Sequence, residues 1–122
     1  MTRLEFNECT GFTKEEAFKE LNYNPDATAE EIGKKICPLA DKFTLNKLTT
    51  DNITLHYALY EPENSANKTP IIIWLHGMGE GGDDPYIALL GNKVVNLITD
   101  DIQSYFAPTG AYVLVPQVNG FW

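Results

Sequence analysis

The sequence predicts an α/β fold built on part of a parallel sheet, and three observations lead to this prediction. The apolar run at residues 71–75 stops abruptly at a glycine-rich segment, as a buried strand does before a loop. A second apolar run, residues 111–117, has the composition of another strand. Between them, apolar residues recur at helical spacing over residues 86–99. Strand, helix, strand is the order of a right-handed βαβ unit, in which the two strands are parallel.

Two further strands are predicted ahead of this unit. A first strand is expected near residues 43–48, and a second near residues 53–60, where apolar and polar side chains alternate. His56 lies in the second strand, on the opposite face from Ile53, Leu55, Tyr57 and Leu59. This position favours a structural or surface histidine.

The crossover between the strands of the βαβ unit is predicted to contain two helices. Pro85 can open the first, whose apolar positions are Ile87, Leu90, Val94, Leu97 and Ile98. Gly91 falls inside this helix and weakens the prediction, because glycine costs about 1 kcal/mol relative to alanine in a helix interior. Asp100 and Asp101 begin a short second helix that runs through Phe106.

Residues 1–42 differ in character and are predicted to form a helical amino-terminal extension to a domain at residues 43–122. They contain two helical patterns and no strand signal. Each pattern opens with a threonine followed three residues later by a glutamate, Thr13 with Glu16 and Thr28 with Glu31, which is a capping box.

The glycine-rich loop at residues 76–82 is the leading candidate for a functional site. Ligands of open α/β sheets bind at the carboxyl ends of the strands, where this loop is expected, and glycines allow its N–H groups to approach a substrate. A phosphate-binding loop is disfavoured, because residues 77–82 lack a Lys-Ser/Thr pair and Glu80, Asp83 and Asp84 would repel phosphate. A plain strand-to-helix connection remains the alternative.

The motif His76-Gly77-Met78-Gly79 after an apolar strand resembles the α/β-hydrolase superfamily, in its esterase and prolyl-oligopeptidase-like branch. The resemblance covers residues 43–122, the amino-terminal half of such a domain. It implies that the loop supplies part of an oxyanion hole. The backbone N–H of Met78 is then the first choice of donor, and that of Gly79 the second. His76 would brace the loop together with Gly77, through hydrogen bonds rather than proton transfer.

The chain departs from this family at the nucleophile, since it has no G-x-S-x-G elbow. Its serines are Ser65, in a polar loop, and Ser104, in a helical pattern. We therefore expect the chain alone to be inactive, with the serine, acid and base beyond residue 122 of a serine hydrolase that cleaves ester or peptide bonds through an acyl-enzyme. The alternative is a non-catalytic half-fold remnant or a binding and interaction module.

Three side chains are candidates for the substrate pocket. Phe121 and Trp122 follow the last strand at the same edge as the loop, and either line an acyl or aromatic pocket or are core residues. Glu80 either contacts a cationic or polyhydroxylated substrate or solvates the loop. The expected substrate is a small ester or amide, and no metal or organic cofactor is implied.

Composition excludes several function classes. A net charge of −8 and a pI near 4.6 argue against nucleic acid. No run approaches the roughly 20 apolar residues of a membrane helix, and no signal-peptide core is present, so a soluble chain is expected, either cytoplasmic or secreted with its signal removed. Cys9 and Cys37 are too few for a zinc site, and a disulfide and two free thiols remain open.

A partner is expected on physical grounds. A sheet that ended at Val115 would leave apolar faces and an unpaired strand edge, which promote association. The partner is either the remainder of the hydrolase domain or a second copy of the chain.

Overall fold

The computed structural model describes residues 38–91, 94–120 and 122. This part of the chain contains four strands: β1 (Thr44–Thr49), β2 (Thr54–Tyr60), β3 (Ile71–Ile73) and β4 (Tyr112–Gln117). It also contains two short α-helices, α1 (Pro85–Gly91) and α2 (Asp100–Gln103), and 3₁₀ segments at Pro38–Lys42, Val94–Ile98 and Ser104–Phe106. The predicted helical patterns of the amino-terminal extension, with both cysteines, lie outside the described residues.

The strands form one mixed sheet in the order β1-β2-β4-β3. β1 and β2 make an antiparallel hairpin, β2 pairs antiparallel with β4, and β3 pairs parallel with β4. The parallel pair joined by a helical crossover is the predicted βαβ unit. The predicted α/β fold is thereby confirmed, with the first two strands adding an antiparallel hairpin at one edge.

One face of the sheet is covered and holds the core. Ala58 of β2 and the pair Val113 and Val115 of β4 are fully buried beneath α1 and the Val94–Ile98 segment. The core on this covered face also contains Ala40, Phe43, Tyr86, Ala88, Leu89, Val94, Val95 and Ile98. These residues fix the position of α1, and hence of the loop that precedes it.

The prediction that the apolar run at residues 71–75 forms a buried strand is wrong for one of its two faces. Ile71, Ile73 and Leu75 are 52%, 57% and 56% exposed, while Ile72 and Trp74 pack against the core. The reason is that β3 is an edge strand and the described helices cover only one face. We call the other side the open face; its groove of about 350 Å³ is lined by Leu48, Leu55, Tyr57, Leu59, Ile71, Leu114 and Pro116.

The prediction of a continuous crossover helix over residues 86–99 is also wrong. The α-helix ends at Gly91, which is its last residue rather than an interior one, and the chain continues as 3₁₀ helix at Val94–Ile98. Glycine and adjacent β-branched valines are weak helix formers, which favours a break here. The second helix is present as α2 followed by a 3₁₀ turn to Phe106. None of the helices described is both long enough and apolar enough to span a membrane.

Gln103 fixes the amino end of β4. Its side-chain oxygen accepts a hydrogen bond from Ala111 N–H at 2.8 Å, and its Nε2 donates to Ala111 O at 3.2 Å and to Leu97 O at 2.9 Å. One amide therefore joins the crossover to the residue that precedes β4.

Pro116 lies near the other end of β4. Proline has no N–H, so inside a sheet it removes one hydrogen bond of the ladder. Tyr112 N–H donates to Pro70 O and Trp74 N–H to Leu114 O, so the backbone groups of Tyr112 and Leu114 face β3. Because alternate residues of a strand turn their backbone groups to the same side, the nitrogen of Pro116 also faces the β3 side. The β3–β4 pairing ends at Ile73 and Leu114, so Pro116 lies beyond the paired length of the two strands.

Candidate functional site

The loop that follows β3 lies at the carboxyl ends of β3 and β4, the edge where parallel sheets bind their ligands. His76 is 4% exposed, whereas Met78 at the tip of the loop is 84% exposed. The loop is thus anchored at its first residue and open at its third. Because the Met78 side chain is exposed, its backbone N–H is the group of this residue that can bind a ligand oxygen.

His76 connects the loop to the segment after β4. Its Nε2 accepts a hydrogen bond from Val118 N–H at 3.2 Å, and its Nδ1 lies 2.9 Å from Gly77 O. A backbone N–H can only donate and a carbonyl can only accept, so the ring proton is on Nδ1 and is donated to Gly77 O. The ring also contacts Trp122, at a centroid distance of 5.2 Å. A side chain that braces the loop through hydrogen bonds would make contacts of this kind.

Glu80 closes the loop on itself. Its Oε2 accepts a hydrogen bond from Gly77 N–H at 2.8 Å, and Glu80 N–H donates to Gly77 O at 3.3 Å. Gly79, between them, has a φ of +86°, a conformation that suits glycine. The carboxylate therefore takes part in the fold of the loop, a role that the sequence reasoning did not anticipate.

The amides at the tip of the loop are left available. Neither the N–H of Met78 nor that of Gly79 donates a hydrogen bond to any of the residues that the structure describes. The flanking amides of Gly77, Glu80 and Gly82 all donate. Two adjacent free N–H groups between the bonded amides of Gly77 and Glu80 can donate to a ligand oxygen.

The second half of the loop is fixed to the end of β4. Gly82 N–H donates to Val118 O at 2.9 Å, and Gln117 Nε2 donates to Glu80 O at 2.9 Å and to Asp84 O at 3.0 Å. At Gly81, a Cβ atom would lie 2.7 Å from Gly120 N and O. Sequence reasoning missed Gln117; the available signal was a polar residue ending an apolar strand at the edge of the candidate site.

One of the acidic residues beyond the loop tip, Asp84, directly precedes α1. Asp84 Oδ1 accepts a hydrogen bond from Tyr86 N–H at 3.1 Å, which satisfies a donor in the first turn. Tyr86 is buried, and its hydroxyl donates to Asp41 at 3.3 Å. Asp84 thus stabilises the amino end of the helix.

Of the two aromatic pocket candidates, Trp122 lies beside the loop and Phe121 lies outside the described residues. Trp122 is 53% exposed and contacts the buried His76 ring. It is therefore at the predicted edge of the sheet. Its role in a pocket remains a prediction.

No catalytic triad forms among residues 38–91, 94–120 and 122. Ser65 Oγ donates to Glu61 at 3.2 Å, and Ser104 Oγ donates to Asp101 O at 2.8 Å, so neither described serine is bonded to a histidine. His56 is half-buried on β2, on the covered face with Ala58. The same stretches contain no group of His, Cys, Asp and Glu side chains able to hold a metal ion.

A second, shallow groove of about 400 Å³ lies at the opposite end of the sheet, beside the amino end of β4. It includes Tyr60, Glu63 and Asp100. Burial raises the pKa of the Tyr60 hydroxyl above its ordinary value, and the nearby carboxylates of Glu63 and Asp100 raise it further. The groove is therefore acidic and does not adjoin the loop.

Comparison with known structures shows a likeness to hydrolases. The fold is similar to that of a thermostable esterase, with a TM-score of 0.60 and 26% identity over 68% of this chain and 23% of that one. A likeness to an acylaminoacyl peptidase from Pyrococcus horikoshii is weaker, with a TM-score of 0.39 and 17% identity over 81% of this chain and 15% of that one. No protein-family model matches the chain, and no curated protein matches it.

The likeness to the esterase extends over a limited part of that protein. The matched residues span 23% of the esterase's length, so they correspond to a portion of its fold. This similarity fits an α/β-hydrolase-like fold, of which the chain resembles a portion.

Proposed function

We propose that this chain is the amino-terminal portion of a serine hydrolase and contributes the oxyanion loop to the cleavage of carboxylic-ester or peptide bonds. The observation that carries the proposal concerns the amides of Met78 and Gly79, beyond the carboxyl end of β3. Neither N–H donates a hydrogen bond among the described residues. The similarity of the fold to an esterase supports the same interpretation. The complete hydrolase is then this chain together with the polypeptide that carries the nucleophile.

The mechanism assigns the loop one task, which is to stabilise negative charge. The serine oxygen attacks the carbonyl carbon of the substrate, its proton passes to the base, and the carbonyl electron pair moves onto oxygen. The Met78 N–H donates to this oxyanion, and the second donor is the amide of the residue after the serine. Collapse expels an alcohol or amine that takes the proton, and water then releases the acid by the same route.

The expected contribution of the Met78 amide is large because it is fixed before the reaction. Removing one such donor typically costs roughly 3 kcal/mol of transition-state stabilisation. The bonds on both sides of Met78, from Gly77 to Glu80 and from Gly82 to Val118, support this fixed geometry.

The nucleophile, acid and base are proposed to lie beyond residue 122. The described serines are engaged away from the loop, Ser65 with Glu61 and Ser104 with Asp101. His76 is unsuited to act as a base, since its Nε2 already accepts from Val118 N–H. This chain alone is therefore expected to be inactive.

The remainder of the hydrolase domain is the proposed partner of the open face. Ile71 and Ile73 of β3 and Leu75 just after it are exposed, and Ile71 lines the apolar groove. Burying apolar surface stabilises association by about 25 cal/mol per Å². A second copy of the chain is the competing occupant.

The substrate pocket is proposed to include Trp122, with Phe121 beside it in sequence. Trp122 contacts His76 and so lies near the loop that would hold the reacting carbonyl. Glu80 is proposed to shape this pocket from within the loop, because its carboxylate is bonded to Gly77 N–H.

The deciding experiment exposes the source protein to a fluorophosphonate probe and records an intact mass spectrum. We expect the adduct on a species larger than 13.7 kDa, or on a second chain that accompanies this one. An unlabelled species of 13.7 kDa with no companion would overturn the proposal in favour of a non-catalytic half-fold or a binding module. The isolated chain should show no turnover of an activated acetate ester, and Ser104→Ala should change nothing.

A further inference from the structure

The side chain of Gln117 is hydrogen-bonded to the backbone of the oxyanion loop and of the residues that follow it. It is the last residue of β4 and is 1% exposed. Both hydrogens of its amide are used, one on Glu80 O at 2.9 Å and one on Asp84 O at 3.0 Å. These carbonyls bracket the second half of the loop, so a single buried side chain fixes two points of its backbone.

The bonds of Gln117 continue toward the reacting position. Glu80, whose carbonyl it holds, accepts the Gly77 N–H through its own carboxylate. Met78 is the next residue after Gly77. The path from Gln117 to the Met78 amide therefore consists of two hydrogen-bonded residues within one short loop.

The amide oxygen of Gln117 helps to explain why a glutamine occupies this position. Its Oε1 is buried and accepts no hydrogen bond among the described residues. Burying an unpaired acceptor is unfavourable, and an apolar side chain of similar length would avoid it. A glutamine at this position is therefore explained by its two donated bonds.

We propose that Gln117 is a positioning residue, which sets the place of the Met78 N–H for the oxyanion without touching substrate. The inference rests on the proposed function, since it concerns the same loop. A displacement of about 1 Å at a reacting group can cost roughly a hundredfold in rate, and a loop released from Gln117 can move by that amount. The effect should appear in kcat, because the oxyanion forms only as the reaction proceeds.

The chain offers a matched control in Gln103. This glutamine also uses both donors on backbone carbonyls, those of Leu97 and Ala111, but at the amino end of β4, away from the loop. Gln117→Met and Gln103→Met each remove two donated bonds, at opposite ends of one strand, and Gln103→Met also removes the bond accepted from Ala111 N–H. Both are expected to lower the unfolding midpoint, and only the first to lower kcat.

The experiment measures kcat and KM of the complete hydrolase on an activated acetate ester. For Gln117→Met we expect kcat to fall tenfold to a hundredfold with KM within about threefold, and fluorophosphonate labelling to slow in parallel. Gln103→Met should keep kcat within twofold of the wild type. Equal kcat losses in both variants, or a Gln117→Met enzyme with wild-type kcat, would overturn the positioning role while leaving the proposed function intact.

A second variant separates positioning from folding. In Gln117→Glu the carboxyl group can donate only when it is protonated. The ratio of its kcat to the wild-type kcat, each counted per active site titrated with the fluorophosphonate probe, should therefore rise as the pH falls, while a residue that acts only on stability would give a flat ratio. A wild-type enzyme that neither hydrolyses the ester nor takes the probe would remove the proposed function itself, and this inference with it.

Discussion

His76 Nε2 accepts the N–H of Val118 at 3.2 Å, so the first residue of the loop is joined to the first residue after β4. The two residues are separated by 42 positions in the chain. The bond leaves the ring proton on Nδ1, which donates it to Gly77 O. The ring therefore bonds both to its own neighbour in the loop and to the segment after β4.

Replacing His76 should loosen the loop. In His76→Phe, the ring can still pack against Trp122, but Val118 N–H loses its acceptor and Gly77 O loses one of its two donors. We expect the free energy of unfolding to fall by about 1–3 kcal/mol, measured by urea denaturation of the complete hydrolase. His56→Phe, on β2, is the control and should cost less. Equal losses would show that the two hydrogen bonds of His76 carry no special weight.

The backbone of Met78, and not its side chain, is expected to matter for activity. Met78→Leu changes an 84% exposed side chain and should leave kcat within about twofold. Met78→Pro removes the N–H and should lower kcat by about a hundredfold to a thousandfold, as for the loss of one oxyanion donor. Ester turnover measures both. Wild-type kcat in the proline variant would exclude Met78 as the donor and leave Gly79 as the candidate.

The loop should reject any side chain at residue 81. In Gly81→Ala, the new Cβ would lie 2.7 Å from Gly120 N and O and 2.8 Å from Val118 O, which forces backbone to move. We expect a loss of about 1–3 kcal/mol in stability, seen as a lower thermal midpoint, together with reduced turnover. Gly79→Asn is the control for the close approach, because nothing lies within 4 Å of a Cβ there and asparagine is among the residues that most often adopt a positive φ.

Tyr60 should make the protein sensitive to alkali. Its pKa is raised above 10.0 by burial and by Glu63 and Asp100, so the folded protein holds this proton more tightly than the unfolded chain. The stability that this group contributes is fully present at neutral pH and is lost as the pH rises through the raised pKa. Denaturation across alkaline pH should show a shallower fall in Tyr60→Phe. Tyr105→Phe, at an 83% exposed position, should match the wild type.

The open face should make the isolated 122-residue chain self-associate. Leu55, Ile71 and Leu114 line its groove, and β3 has an unpaired edge among the described residues. Size-exclusion chromatography should show dimers or larger species that shift toward monomer in Leu55→Lys with Ile71→Lys. Tyr105→Lys, at an exposed position outside the groove, should leave the profile unchanged. A stable wild-type monomer would contradict the proposal that this face is normally covered.

Local pattern predicted the elements whose signal is contained in their own residues. β4 was expected at residues 111–117 and is found at Tyr112–Gln117, because an apolar run bounded by turns admits few other structures. The crossover was predicted less well. Apolar spacing alone does not distinguish an α-helix from an α-helix that continues as 3₁₀ after Gly91, so fully buried Leu89 and Val95 were not among the expected core positions.

Burial and the bonds of the site were harder to predict, because both depend on distant residues. Three isoleucines in a row indicate burial, yet Ile71 and Ile73 face a side of the sheet that no described helix covers. The bond from Gln117 to Glu80 joins residues 37 positions apart, and no spacing rule encodes it. The individual roles proposed for His76, Gly77, Met78, Gly79, Glu80 and Trp122 remain predictions.

Pro116 limits how far β3 and β4 can pair along the strands. With no N–H to offer on the β3 side, the strand cannot extend its parallel ladder beyond the bond from Trp74 to Leu114. Beyond that bond the His76 ring joins the two segments, because its Nε2 accepts the Val118 N–H. The point at which strand pairing gives way to a side-chain bond is therefore set by a proline of β4 and not by the glycine-rich loop.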